Sequence, residues 1–319
     1  MKSTITAIAT PMHQSAIGII RISGPDAEKI LKKIFLFKKK ILKLENRKLY
    51  FGSIIDENKN HIDEALAFLM SSPNSYTGED IVEIQTHGSV AVLKITLELI
   101  IKAGAVLAEP GEFTKRAFLK GKMDLTEAEA VADIISAKTK ESLILSVKQK
   151  EGAYSNIIDP IREEILSYLA LMEAHIDFCE EDIPEIDMKY FSERLNFWEK
   201  NIKNILKKIK EKNVYSEGIT AVITGKTNVG KSSLLNTLLN EDRAIVTDIA
   251  GTTRDTLDAY INIKGIHLKI IDTAGIRSNP DSIEQIGISK TFKSIEKADI
   301  ILFIADNSSN LTNEDIEIL

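Results

Sequence analysis

The chain has 319 residues, of which 44 % are apolar and 28 % charged, and a formal net charge of −6. That length serves two or three domains of ordinary globular composition. The acidic balance excludes an autonomous nucleic-acid binder, whose backbone contacts need clustered Lys and Arg, so any RNA contact has to be local or shared with a partner. The single cysteine, Cys179, rules out an internal disulfide and fits a reducing compartment. No apolar run reaches the roughly 18 residues that span a bilayer. The start, MKSTITAIATPMHQSAIG, lacks the apolar core and cleavage site of a signal peptide. A cytoplasmic location away from membranes is expected.

From residue 1 to about 118 the chain mixes strand-like and helical runs. TITAIAT and AIGIIRIS, rich in Ile and bounded by Pro and Gly, predict strands, as do EALAFLM and DIVEIQTH. FKKKILKLENRK is basic but interleaved with Leu and Ile; it reads first as a solvated helix face and second as a phosphate patch. VAVLKITLELIIKAG has helical spacing and ends at Gly104, a C-cap residue. SSPNSYTGED and EPGEFTK read as loops from their turn residues. Together these predict an α/β or α+β domain.

Between about 124 and 213 Gly152 is the only glycine, and AEAVADIISAKTKESLILSVKQ, IIDPIREEILSYLALMEAHIDF and FSERLNFWEKNIKNILKKIKEK carry apolar residues at i, i+3, i+4 and i+7. Three long helices are predicted, with breaks near Gly152 and EEDIPEID. Cys179, just past the second, reads as structural. From about 214 strands (GITAVIT, DAYINIK, HLKIID, DIILFIAD) alternate with helices (KSSLLNTLLN, IEQIGISKTFKSIEK), a pattern that predicts a parallel, doubly wound sheet.

The stretch TGKTNVGKSS fits G-x-x-x-x-G-K-S at Gly225, Gly230, Lys231 and Ser232, between a strand and a helix as that motif requires. Glycines let successive N–H groups curl toward an anion, and the helix beginning there adds its positive end. Lys231 reaches the outer phosphates and the Ser232 hydroxyl ligates Mg²⁺. Behind it, DIAGTTRD (248–255) offers paired threonines, Thr252 and Thr253, and HLKIIDTAG ends in Asp272, Thr273, Ala274 and Gly275. In order and spacing these resemble the first three nucleotide-binding elements of translation-factor-like GTPases. After Gly275 stands Ile276, which cannot orient an attacking water as a Gln does there in small GTPase switches. Asp281 and Glu284 are acidic candidates for that work, or else charges favourable at a helix N-terminus. Arg254 and Arg277 are near enough to serve as arginine fingers, but Arg254, followed by Asp255, is as easily a salt-bridge partner. Asn228 either holds a monovalent cation beside the phosphates or bonds its own backbone.

GKTNVGKSSLLNTL, AIVTDIAGTTRD, IIDTAGIR…IEQIGI, and the N-terminal GIIRISG, SYTGEDIVEIQTHG and PGEFTKRAFLKGKMDLTEAEA together resemble the bacterial and organellar tRNA-modification GTPases of the MnmE (TrmE) family, along the whole chain. The resemblance implies a multi-domain protein: a folate-binding and dimerising domain over 1–118, a helical domain over 119–213 and a Ras-like G domain from 214 to 319. It implies a homodimer that hydrolyses GTP and, with a flavin-binding partner in a heterotetramer, adds an aminomethyl-type group at C5 of the tRNA wobble uridine, drawing the carbon from 5-formyl- or methylene-tetrahydrofolate. It also implies activation by K⁺ and by pairing of G domains.

Position by position, the resemblance places GTP against Asn228, Val229, Gly230, Lys231, Ser232, Ser233, then Thr247, Asp248, Ile249, Ala250, Gly251, Thr252, Thr253, and Asp272 to Gly275. Ser232 and Thr253 bind Mg²⁺; Asn228, Thr247, Ile249 and Thr252 surround K⁺; Glu284 orients water and Lys231 shares the catalytic role. Arg21, Glu83 and Lys122 match the family's folate site; on pattern alone they are ordinary charged surface residues. The chain stops at NEDIEIL, before any N-K-x-D guanine-reading motif, so it reads as truncated. Two other readings remain at this stage: a ribosome-assembly switch, for which a basic appendage is expected, and a folate-binding dimer module alone.

Overall fold

The computed structural model describes residues 3–39, 41–178, 184–226, 229–240, 258–272, 295–296 and 298–308. It divides into two compact units, 1–128 and 129–319.

The first unit is built on a seven-stranded sheet of order β3-β4-β5-β6-β2-β1-β7. Its strands are β1 (Ile5–Ile8), β2 (Ser15–Ser23), β3 (Phe35–Phe37), β4 (Tyr50–Ile55), β5 (His61–Met70), β6 (Ile81–Gly88) and β7 (Val106–Leu107). Neighbours are antiparallel except β1 with β7. Helices α1 (Ala27–Ile34) and α2 (Val90–Lys102) supply Ile30, Leu31, Ile34, Leu93 and Ile100 to one core, into which the sheet sends Ile20, Ile22, Ala65, Ala67, Leu69, Val82 and Ile84. Side chains alternate across a strand, so Arg21 and Glu83, which sit between these positions, point to the opposite face. Helix α3 (Glu112–Leu119) and α4 (Leu125–Ser136) follow β7.

Two expectations fail in this unit. FKKKILKLENRK is no helix: Phe37 ends β3, and the described residues after it are irregular up to β4. Phe37 packs edge-on against Tyr50, and Leu44 is buried in the core, so the apolar residues of that run anchor a connection instead of spacing a helix. EPGEFTK is half helix, because α3 begins at Glu112 directly after Gly111.

In the second unit, α5 (Lys140–Lys150), α6 (Ser155–Asp177) and α7 (Met188–Ser216) follow α4. The first of the three predicted helices is in fact two. Thr139 leaves the helical region and its side chain accepts the amide of Ser142 at 3.1 Å, starting a new helix as an N-cap. Glu164 on α6 accepts from Arg194 and from the Trp198 indole on α7, and Tyr168, Phe191 and Trp198 pack ring against ring there. Buried Lys212 joins Asp133 and Gln149.

Helix α7 passes through Glu217 and Gly218 into β8 (Ile219–Thr224). Gly218 has φ +80°, and a Cβ there would meet the carbonyl oxygen of His267 at 2.2 Å, so only glycine serves at this junction. The sheet has order β11-β8-β10-β9, with β9 (Asp258–Ile263), β10 (Ile266–Asp272) and β11 (Ile300–Phe303). β10 and β11 run parallel to β8. β9 is antiparallel to β10, which corrects the expected all-parallel sheet: Lys264 and Gly265 both have positive φ, the geometry of a two-residue hairpin turn. Ile223, Ile261 and Ile270 form the buried core beneath α8 (Lys231–Asn240), which contributes Leu235 and Leu238.

Candidate functional site: an ion-pair corner and a phosphate loop

In the first unit, Arg21 on β2 and Glu83 on β6 are directly opposite in register. Glu83 Oε1 accepts from Arg21 Nε at 2.8 Å and lies 2.6 Å from Arg21 Nη2 as an ion pair. Such a charge-assisted contact is shorter and stronger than a neutral hydrogen bond. The guanidinium also lies 5.7 Å from the Tyr76 ring centre and 5.8 Å from that of Phe113, within cation–π range. Lys122 does not touch the pair: it is exposed and donates to the Pro73 carbonyl at 3.0 Å, in the same 71–80 loop that carries Tyr76. Arg21 and Glu83 thus meet directly, while Lys122 is tied to the loop beside them. A half-exposed corner with a fixed carboxylate, two cations and two rings has the donor and acceptor set that a pterin with an acidic tail requires.

Sequence reasoning missed Tyr76, Phe113 and what holds them. The Tyr76 hydroxyl and Thr114 hydroxyl lie 2.9 Å apart, joining the loop to α3. Beneath, Arg116 is fully buried. Burial alone would push the Glu112 carboxyl up, but the Glu109 amide and the Arg116 guanidinium overcome it and hold the group below the ordinary carboxylate range. The only sequence signal was that motifs with many polar residues, SYTGED and PGEFTKR, sit where turns were read. Arg is rarely buried, so nothing in the pattern marks Arg116 for the interior.

In the second unit the predicted phosphate loop leaves the C-terminal end of β8, a central strand. Gly225 has φ +141°, and a Cβ there would lie 2.2 Å from the Ile304 carbonyl oxygen, so only glycine lets the chain turn against the end of β11. Lys231, 9 % exposed, folds back to donate to the carbonyls of Gly225, at 2.6 Å, and Lys226. Gly230 precedes the helix, and its carbonyl accepts the Leu234 amide at 2.9 Å. The amides of the first turn, including those of Ser232 and Ser233, have no partner within the helix and face out of its positive end. Val229 is half-buried beside them. β10 runs parallel to β8 and ends at Asp272, whose Cα pairs with Ile223. The loop, the helix end and Asp272 therefore gather at the carboxyl edge of the sheet, where open α/β sheets bind ligands. A triphosphate with Mg²⁺ fits this donor set: an ammonium, first-turn amides, and the Ser232 hydroxyl on an exposed residue. Asn228, the run Thr247 to Thr253, Arg254, Thr273, Ala274, Gly275, Ile276, Arg277, Asp281 and Glu284 lie outside the described residues, as does Cys179. Among the described residues no helix is long and apolar enough to cross a membrane, and no cluster of metal-binding side chains occurs.

Comparison with known families matches residues 4–122 to the GTP-binding protein TrmE N-terminus and residues 220–319 to the 50S ribosome-binding GTPase family. The tRNA modification GTPase MnmE of Streptococcus sanguinis (strain SK36) is 48 % identical over 318 residues, covering 99 % of this chain and 69 % of that protein. The protein of the same name from Streptococcus gordonii is likewise 48 % identical over 318 residues, covering 99 % of this chain and 69 % of its own. That of Aquifex aeolicus (strain VF5) is 47 % identical over 318 residues, 100 % of this chain and 70 % of its own.

Proposed function

The chain belongs to the tRNA modification GTPase family MnmE, also called TrmE, and from that premise we propose a potassium-dependent GTPase coupled to a folate-binding corner for modification of the tRNA wobble uridine. The observation that carries the reading is Lys231 at the start of α8 folded back onto the Gly225 carbonyl at the end of β8, beside the end of β10 at Asp272. Lys231 and the first-turn amides of α8 hold the outer phosphates. Ser232 and Thr253 would hold magnesium, which would supply positive charge against the β- and γ-phosphates. Asn228, with Thr247, Ile249 and Thr252, surrounds the potassium ion, and Glu284 orients the attacking water. Ile276 supports that assignment, because its side chain has no atom with which to do so. Val229, Ser233, Asp248, Ala250, Gly251, Thr273, Ala274 and Gly275 complete the nucleotide contacts.

In the first unit, Glu83 accepts the paired N–H donors of a pterin edge, while Arg21 and Lys122 face the acidic tail of 5-formyl- or methylene-tetrahydrofolate. The folate supplies a one-carbon unit. The protein works as a homodimer with a flavin-dependent partner, its parts divided at about 118 and 213, in the cytoplasm. The ribosome-switch reading loses its footing because residues 4–122 match the TrmE N-terminus instead of a basic appendage.

The test is GTP turnover of the complete protein in potassium against sodium. A rate at least about tenfold higher in potassium, roughly 1.4 kcal/mol of barrier, is expected. Equal rates in both salts overturn the potassium assignment.

A further inference from the structure

Arg116 is the largest side chain fully buried among the described residues. A guanidinium has five N–H donors, and here each has an acceptor. Nε and Nη2 donate to Glu112 at 3.2 and 2.8 Å; Nη2 also donates to the Ser3 hydroxyl at 3.2 Å; Nη1 donates to the Ser3 carbonyl at 2.8 Å and to Glu79 at 3.1 Å. The same Glu79 oxygen accepts from Ser23 at 3.1 Å, and the Ser23 hydroxyl lies 2.8 Å from that of Thr77. One side chain on α3 thus ties together Ser3, the 71–80 loop and, through Glu79, strand β2.

The segments so tied are those that carry the corner. Tyr76 is next to Thr77, Phe113 is next to Glu112, and Arg21 is two residues before Ser23 on the same face of β2. A buried ion network gives little net stability compared with well-packed apolar side chains. What it does give is a fixed fork geometry that tolerates one relative placement of α3 and loop. The Tyr76–Thr114 contact closes the same bridge from outside.

We propose that Arg116 is a positioning residue for the Arg21–Glu83 corner: by locking α3 against the 71–80 loop it sets the spacing of Tyr76 and Phe113 around the Arg21 guanidinium. This rests on the folate reading for its ligand, though not for its geometry. The test uses the full chain and four variants: Arg116→Lys, which keeps the charge and loses the fork; Ser23→Ala, which cuts the link from β2 to the loop; Ile100→Val, a mild truncation in the core on the other face of the sheet; and Glu83→Gln. Two quantities are read, the affinity for 5-formyl-tetrahydrofolate by calorimetry and, without ligand, the exchange rate of the Arg21 Nε–H by NMR. Arg116→Lys is expected to weaken folate binding by at least about tenfold, the worth of one charge-assisted contact, and to speed Arg21 exchange. Ser23→Ala is expected to do the same to a smaller degree, and it decides the matter should Arg116→Lys not fold. Ile100→Val is expected to change neither at an equal loss of melting temperature. Affinity and exchange in Arg116→Lys no different from those in Ile100→Val overturn the proposal. Folate binding unaltered in Glu83→Gln, or absent from the natural protein, removes the folate reading instead; Arg21 exchange then decides the positioning role by itself, a faster rate supporting it and an unchanged one overturning it.

Discussion

Each unit of the molecule buries one cation at the heart of its site, and the two are held in opposite ways. Arg116 meets carboxylates, a carbonyl and a hydroxyl with every donor of a planar fork, so its environment is complete and directional. Lys231 is a compact ammonium resting on the backbone carbonyls of Gly225 and Lys226, neutral acceptors that phosphate oxygens outbid. The first arrangement stores geometry. The second stores charge where an anion arrives at a helix N-terminus. On the proposed reading, a recognition corner for a shaped heterocycle calls for the former, and a loop that binds and releases phosphates calls for the latter.

The sharpest way to break this contrast is to remove the fork. Arg116→Met leaves Glu79 and Glu112 buried without their cation and is expected to cost the first unit about 3–5 kcal/mol, read by denaturant unfolding with hydrogen exchange of its amides. A loss below about 1 kcal/mol would mean that the network is solvated and stores nothing. Next in size is Lys231→Ala in the complete protein, which should weaken GTP binding at least ~30-fold, about 2 kcal/mol or more, without altering the fold. Nucleotide affinity left intact would remove the phosphate assignment. Gly225→Ala follows, with about 1–3 kcal/mol of strain expected from a positive φ and a blocked approach to Ile304, visible as earlier unfolding of the second unit's sheet. A silent substitution would show that the turn relaxes freely.

The smallest effect compares two histidines. Hydrogen bonding to Asp63, and then its charge, raises His87 in the first unit. Burial, and then the charge of Lys138, lowers His267 in the second. The folded state favours protonated His87, so its contribution is whole below the ordinary imidazole value of about 6.5 and fades as pH rises through the higher folded value. NMR titration should place His87 above and His267 below that value, and Asp63→Asn should bring His87 back. A shared midpoint would erase the distinction.

Much of this was legible in residue order. The strands around Arg21 and Glu83 announced themselves by Ile-rich runs, and the phosphate loop by two glycines and a lysine between strand and helix. Three things were not. Thr139 breaks a helical period with neither Gly nor Pro, because a side-chain cap competes with the backbone only once the chain has bent. The lysine-rich run after α1 has helical spacing, yet Phe37 and Leu44 find partners in the sheet core, and tertiary packing overrides local preference. Arg116 hides for a third reason: its burial depends on Ser3, some 113 residues earlier, and on Glu79, and no local pattern encodes a meeting of such distant acceptors.

Through Gly218, whose backbone sits against the His267 carbonyl, the strand that ends in the phosphate loop is entered by helix α7. At about 1.5 Å of rise per residue its 29 residues reach about 43 Å, so a tilt of about 10° at the sheet end sweeps the far tip through about 7 Å. Lys212 ties α7 to α4 and α5, and Arg194 and Trp198 tie it to Glu164 on α6, so those helices must travel with any such tilt.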